Sequence, residues 1–254
     1  MTVGQRIFPS LKQSGTIFFL LFLFLPGLIA QFPPIDIELQ GGMLVGTPYG
    51  QLPSTVTASS GKPGVNPHIR AIASVQLMPH LSVNTGIGYA RKSSSFAVTI
   101  EDQLDVGQEL FGLNLPIPLN VDYTAKSQGT FDNHYLDVPL YTEIRFKQAI
   151  WYLQFGYQYS HLLKGSLQGE AEVNAGFLDL GTTEFDESSS LNPRDHALLF
   201  GAGRNLNTWG KIGLGFSYGV GKLFTEVPDG MSQMRNLYGQ LLFALRIPAI
   251  QGSP

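Results

Sequence analysis

Five charged residues, Glu38, Arg70, Glu143, Arg145 and Arg246, stand within segments where apolar and polar residues alternate. Two carboxylates can divide acid and base work between them. The same carboxylates, taken out of water beside arginines, instead form ion pairs that hold a polar interior together. Four histidines, His68, His134, His161 and His196, supply imidazoles of the kind that bind zinc or copper. Ser160 and His161 set a hydroxyl nucleophile next to a base. Acidic residues gather in two stretches: Glu101, Asp102, Asp105, Glu109 and Asp122 in one, Glu170, Glu172, Asp179, Glu184, Asp186 and Glu187 in the other. Which of these groups can act together depends on the elements that carry them.

Those elements are strands. Residues 151–160 read Trp-Tyr-Leu-Gln-Phe-Gly-Tyr-Gln-Tyr-Ser, with large apolar residues at odd positions and mostly Gln, Gly and Ser at even ones. Side chains alternate across a strand, so one face is greasy and the other small and polar. The pattern returns at 212–220 and at 81–89. Eight strands are expected, at about 35–46, 69–77, 81–92, 135–146, 150–163, 195–206, 211–224 and 235–247. Short connections at 79–80, 147–149 and 207–210 alternate with longer ones at 47–68, 93–134, 164–194 and 225–234. Short turns on one side and long loops on the other are the mark of a bacterial outer-membrane barrel.

Composition places the greasy face in lipid. Charged residues are 14% of the chain, against roughly 25% in soluble domains. The polar face carries Gly, Ser, Asn and Gln in place of the Lys and Glu of a water-facing sheet. A net charge of −3 gives no nucleic-acid footprint, and none is expected among the partners. There is no cysteine, so disulfides and thiolate sites are excluded. Tyr89, Tyr135, Tyr159, Tyr218 and Phe224 are expected as an aromatic girdle at the loop end, and Phe146, Trp151 and Trp209 at the turn end. Residues 1–30 read as a cleaved signal peptide, with Arg6 and Lys12 ahead of an apolar run and cleavage after Ala30. The barrel then spans 31–248, with a short periplasmic tail at 249–254.

The expected fold is therefore all-β: an eight-stranded antiparallel up-and-down transmembrane β-barrel with long extracellular loops. An eight-stranded barrel is filled by its own side chains. Glu38, Arg70, Glu143, Arg145 and Arg246 are accordingly expected as a structural ion-pair network in the lumen, with no catalytic, cofactor or metal residues. His134, His161 and His196 fall on neighbouring strands, but no ligand spacing supports a metal site. Ser160 and His161 point to opposite faces and cannot act on one another. The acidic loops suit divalent cations or a basic partner, and their plainer reading is solvation outside a negatively charged membrane. The role expected is non-enzymatic, structural or interaction-based, through the loops or the periplasmic rim. A small-solute or ion channel and a lipid-modifying enzyme stay open as alternatives. Expected partners are outer-membrane lipid, the barrel assembly machinery during biogenesis, and an unknown protein at the loops.

Tyr135-Leu136-Asp137-Val138-Pro139-Leu140 resembles the tyrosine-leucine-acidic-apolar-proline-leucine strand of an outer-membrane β-barrel family of Bacteroidota that includes PorT-like proteins. Gly88-Tyr89-Ala90-Arg91-Lys92 is similar to the preceding strand end of that family, and Tyr218-Gly219-Val220-Gly221-Lys222-Leu223 to its penultimate strand. The resemblance covers nearly all of the expected mature chain. It implies an eight-stranded barrel in the outer membrane. A type IX secretion-associated, PorT-like role is the further alternative it adds.

Overall fold

The computed structural model describes residues 35–50, 55–105, 120–146, 150–175, 178–207, 209–225 and 233–247. The expected leader, the tail and Glu109 lie outside them. The described residues form β1 (Ile35–Tyr49), β2 (Val56–Met78), β3 (Leu81–Asp105), β4 (Asn120–Phe146), β5 (Trp151–Ala175), β6 (Leu178–Asp186), β7 (Arg194–Asn205), β8 (Gly210–Gly219) and β9 (Arg235–Ile247). A 3-10 turn, Ser188–Ser190, precedes β7.

Eight of these strands close into a ring. The sheet runs β4-β3-β2-β1-β9-β8-β7-β5, and the β4–β5 pairing joins its ends. Every pairing is antiparallel. Closure leaves no open ladder edge around the ring, which is the condition for crossing a bilayer with strands. β6 stands outside the ring and pairs only with the far end of β5.

The longer connections differ from expectation. The sequence pattern makes them loops, yet β2, β3, β4 and β5 run 23, 25, 27 and 25 residues, well past the 9–11 that a tilted membrane strand needs. The β3–β4 ladder continues to Asp105↔Asn120 and the β4–β5 ladder to Tyr123↔Ala175. The cause is in the sequence: Ser93–Ile100 and Tyr123–Phe131 keep Phe, Val, Thr and Tyr among the polar residues, a composition that pairs as strand. The last expected strand residues before 225 also differ. β8 ends at Gly219, and beyond it Phe224 makes an isolated bridge to Leu191.

The two faces are as different as the alternation implies. Leu39, Val45, Ile69, Leu140, Phe155, Phe200, Leu214 and Phe243 stand exposed on the outside. In water such a belt would be a large aggregation surface; in hydrocarbon it is the solvated face. Tyr89, Phe146, Trp151 and Trp209 lie on that outer surface as the girdle reading requires. Tyr135 and Phe224 do not. Tyr135 is buried in the lumen, and Phe224 packs against a buried apolar cluster. Height along the strand fixes depth in the membrane but not the face.

Pro139 turns inward and is fully buried. Proline has no N–H to give a ladder. The paired positions between β3 and β4 skip from Thr85↔Leu140 to Gly88↔Asp137 around it, without a change of register. The Thr85 hydroxyl donates to the Pro139 carbonyl at 3.0 Å across that gap.

Candidate functional site

The lumen is built in layers from inward positions on the eight ring strands. At the turn end, the Lys211 ammonium lies 2.7 Å from Glu38 and 2.8 Å from Glu143. Arg145 reaches the other Glu143 oxygen at 2.7 Å, and Gln154 donates to Glu143 at 3.1 Å. Arg246 binds Glu38 at 3.1 Å. Two carboxylates are thus held by three cations. Both carboxylates are fully buried, a state that only paired and hydrogen-bonded charges tolerate.

One level up, Gln40 donates to the Tyr141 hydroxyl at 2.9 Å. Above it, Arg70 meets Asp137 at 3.3 Å and donates to Gln158 at 2.9 Å. Asp137 also accepts from the Ser160 hydroxyl at 2.7 Å. The next level pairs Lys92 with Asp195 at 2.8 Å, and Asn236 donates to the same Asp195 oxygen at 2.8 Å. The Lys92 ammonium sits 4.4 Å over the Tyr135 ring, a favourable place for a desolvated cation. An apolar cap of Phe131, Leu167, Leu191 and Leu223 closes the loop end, with Phe96, Phe185 and Phe224 packed against it.

Glu38, Glu143, Arg145 and Arg246 therefore meet in one cluster. Arg70 does not join them, and serves Asp137 in the level above. The sequence reading missed Lys211, which links the two glutamates, and the Lys92–Asp195 pair. Lys211 shares its face with Gly213 and Gly215, and that parity was the signal available. Asp195 shares its face with Ala197 and Leu199, so no polar stripe announced it.

Small residues make room for this filling. The Tyr152 ring lies where Cβ atoms of Gly203 and Gly213 would be. Its hydroxyl donates to the Ile212 carbonyl at 3.2 Å.

The histidines separate. His68 is buried in the lumen. His134 and His196 face outward and are tied to different tyrosines, His134 to Tyr89 and His196 to Tyr157. His161 faces outward and is exposed. Among the described residues no group of three or more His, Asp or Glu is disposed to hold a metal ion. Ser160 is buried in the lumen while His161 lies on the opposite face.

Beyond the ring, β2 to β6 project as a sheet at the loop end. It encloses a cleft of about 900 Å³. Phe96 and Phe185 line it, with Gln128, Gln168, Glu170, Glu184 and Asp186. Three carboxylates of the projection accept from amides at directly opposite positions: Gln128 donates to Glu170, Gln168 to Asp186 at 3.1 Å, and Gln103 to Asp122 at 2.8 Å. An amide relieves an acceptor without cancelling its charge, so the projection stays acidic.

A closed antiparallel ring with an apolar outside and a filled, charged inside defines a β-barrel of the outer-membrane type. The chain belongs to the outer membrane protein beta-barrel domain family, which its residues 29–225 match. Its location is the bacterial outer membrane. Among solved structures it is similar to Neisserial surface protein A, at 13% identity over 84% of this chain and 96% of that one, with a TM-score of 0.33. It is also similar to Ail, the attachment invasion locus protein of Yersinia pestis, at 12% identity over 85% of this chain and 100% of that one, with a TM-score of 0.34. The outer membrane protease OmpT of Escherichia coli aligns at 11% identity over 85% of this chain and 96% of that one, with a TM-score of 0.27. No curated protein matches the sequence.

Proposed function

We propose that this chain is a non-enzymatic outer-membrane barrel with an interaction role. Its binding surface is the projecting acidic sheet, and its partner is a polypeptide with a basic contact surface. The observation that carries this reading is the continuity of β3, β4 and β5 from the ring into the projection. Paired strands hold the cleft in one shape, and a pre-organised surface loses less freedom on binding than a loop. Basic partners are drawn to acidic surfaces at enhanced rates.

The lumen supports the same reading. A solute pathway needs open space, and a reaction needs a base within reach of a nucleophile. The charged lumen side chains are paired with one another, and the apolar cap lies across its loop end. The surrounding partner is outer-membrane lipid, met by the apolar belt, and the assembly machinery inserts the barrel. The Tyr135–Leu140 strand supports a place in the Bacteroidota branch that includes PorT-like proteins, and a secretion-associated role there is an interaction role of the same kind.

Site-specific photo-crosslinking in intact cells tests the proposal. A photoreactive phenylalanine at Phe185 is expected to give a discrete protein adduct that disappears in a Glu170→Gln, Glu184→Gln, Asp186→Asn background. The same probe at lipid-facing Leu214 serves as control. Adducts at Phe185 no different from those at Leu214, or unchanged by charge removal, contradict it.

A further inference from the structure

The cations of the barrel wall are not spread evenly. At the turn end, Arg145, Lys211 and Arg246 turn inward to Glu38 and Glu143. Outward-facing Arg204 packs near the Trp151 ring there, 5.8 Å from its centroid. At the loop end, by contrast, Lys164 and Arg194 face outward and are exposed, as is His161. Ladder register places them along one stretch of the outer surface of β5 and β7, with Lys164 three residues beyond His161 on β5. His161 lies directly opposite Arg194 across β5–β7. Lys164 lies opposite His134 across β4–β5, just past a bulge that adds Leu163 to the outer surface.

No carboxylate among the described residues forms an ion pair with these groups. Among the described residues no hydrogen bond or ion pair engages the side chains of His161, Lys164 or Arg194. The neighbouring carboxylate, Asp132, is taken by Arg91 through two hydrogen bonds of 2.7 and 3.0 Å. Lys164 acts on it only through space. His134 is held by Tyr89 and lies 3.7 Å from Asp132.

What lies on either side of the patch says what meets it. Below it the outer surface is mainly apolar, with Tyr157, Leu198 and Phe200 exposed and His196 tied to the Tyr157 hydroxyl. Above it the projection is acidic, with Glu170, Glu172 and Glu184 exposed on β5 and β6. The cations therefore occupy a narrow band where the hydrocarbon belt ends, at headgroup depth on the side of the long connections. That side is extracellular in outer-membrane barrels. A soluble anion would have to pass the acidic projection, whereas a lipid anion arrives from the side with its chains on the apolar belt.

We propose that His161, Lys164 and Arg194 form a site for the phosphorylated headgroup of an outer-leaflet lipid. Arg194 and Lys164 bind its phosphate oxygens through charge-assisted hydrogen bonds, and His161 adds a ring N–H. The acyl chains lie along Tyr157, Leu198 and Phe200. The site does not depend on what the projecting sheet binds.

Native mass spectrometry of the full chain, released from detergent with defined lipids, reads this directly. Bisphosphorylated lipid A is expected to be retained about tenfold more tightly than fully dephosphorylated lipid A. A Lys164→Gln, Arg194→Gln double variant is expected to lose that preference, and Arg204→Gln to keep it. Inorganic phosphate at millimolar concentration is expected not to displace the lipid. Equal retention of the two lipids by the wild type overturns the proposal, and this comparison needs no variant. Full displacement by inorganic phosphate overturns the assignment to lipid. A double variant that stays heat-modifiable on a gel yet keeps the preference overturns the assignment to these residues.

Discussion

Lys211 and Glu143, 68 positions apart in sequence, meet in the lumen at 2.8 Å, and the same ammonium reaches Glu38 at 2.7 Å. One side chain thus joins β8 to β4 and β1 across the ring, strands that share no ladder with one another except through intervening neighbours. The barrel interior behaves as a polar core.

Removing Lys211 should therefore cost more than removing any other lumen cation. Lys211→Met leaves two fully buried carboxylates short of a partner, with an expected loss of about 3–5 kcal/mol. Arg145→Met leaves Glu143 with Lys211 and Gln154 and should cost less. Urea unfolding in lipid vesicles, followed by loss of heat-modifiable migration, orders the two. An Arg145→Met loss equal to or above that of Lys211→Met would count against the bridging role.

Tyr152 and Gly213 should be coupled. An added methyl at Gly213 meets the Tyr152 hydroxyl, while the nearest backbone atom, the Ala202 carbonyl oxygen, lies at 3.1 Å. Gly213→Ala is expected to destabilise by about 1–3 kcal/mol through overpacking. Adding Tyr152→Phe removes the clashing atom and should recover part of that loss. Strictly additive losses in a double-mutant cycle would show that the contact is not the cause.

The lipid-facing belt predicts a depth effect. Leu214, 68% exposed in the middle of β8, should tolerate Arg poorly, at about 2–4 kcal/mol near the bilayer midplane. Thr183→Arg, exposed on β6 in the projection, should be close to neutral. The same unfolding assay reads both, and equal costs would place the belt in water.

Acid should loosen the turn after β6. The Ser188 hydroxyl donates to Asp186, as does the Ser188 backbone N–H at 3.0 Å, and with Gln168 they hold the Asp186 carboxyl below its ordinary value. A lowered carboxyl contributes stability that is present above its ordinary value of about 3.9 and is lost as pH falls through the lowered one. Nuclear magnetic resonance in micelles should show the Asp186 carboxyl titrating below pH 3.9 or so, with the Ser188 amide shifting in step. Asp186→Asn should abolish that shift. Titration at the ordinary value would remove the hydrogen bonds from the account.

The ring was legible in the sequence because its signal is strictly local. Alternation at 151–160 and 212–220 assigns both faces, and the short turns set the hairpin order. Depth and partnership were less legible. The height of Tyr135 suits the girdle, but the inward parity it shares with Asp137 and Glu143 puts it in the lumen beside Lys92. Alternation puts Arg70 in the lumen but does not select Asp137 over Glu38 or Glu143, because which charges meet depends on strand stagger, and stagger follows from register across the whole ring. The projection looks like loop in sequence because its strands alternate weakly between Ser, Thr, Gln and Gly, where neither face has lipid or a deep core to select it. The cation band at His161, Lys164 and Arg194 needed the β5–β7 pairing, which skips β6.

A lumen filled by paired charges and capped by Phe131, Leu167, Leu191 and Leu223 is not expected to conduct. Single-channel recording of the refolded barrel in planar bilayers is the decisive measurement. The wild type is expected to show no steady unitary current across a wide voltage range. Stable, reproducible conductance steps from folded, heat-modifiable protein would show an open lumen instead.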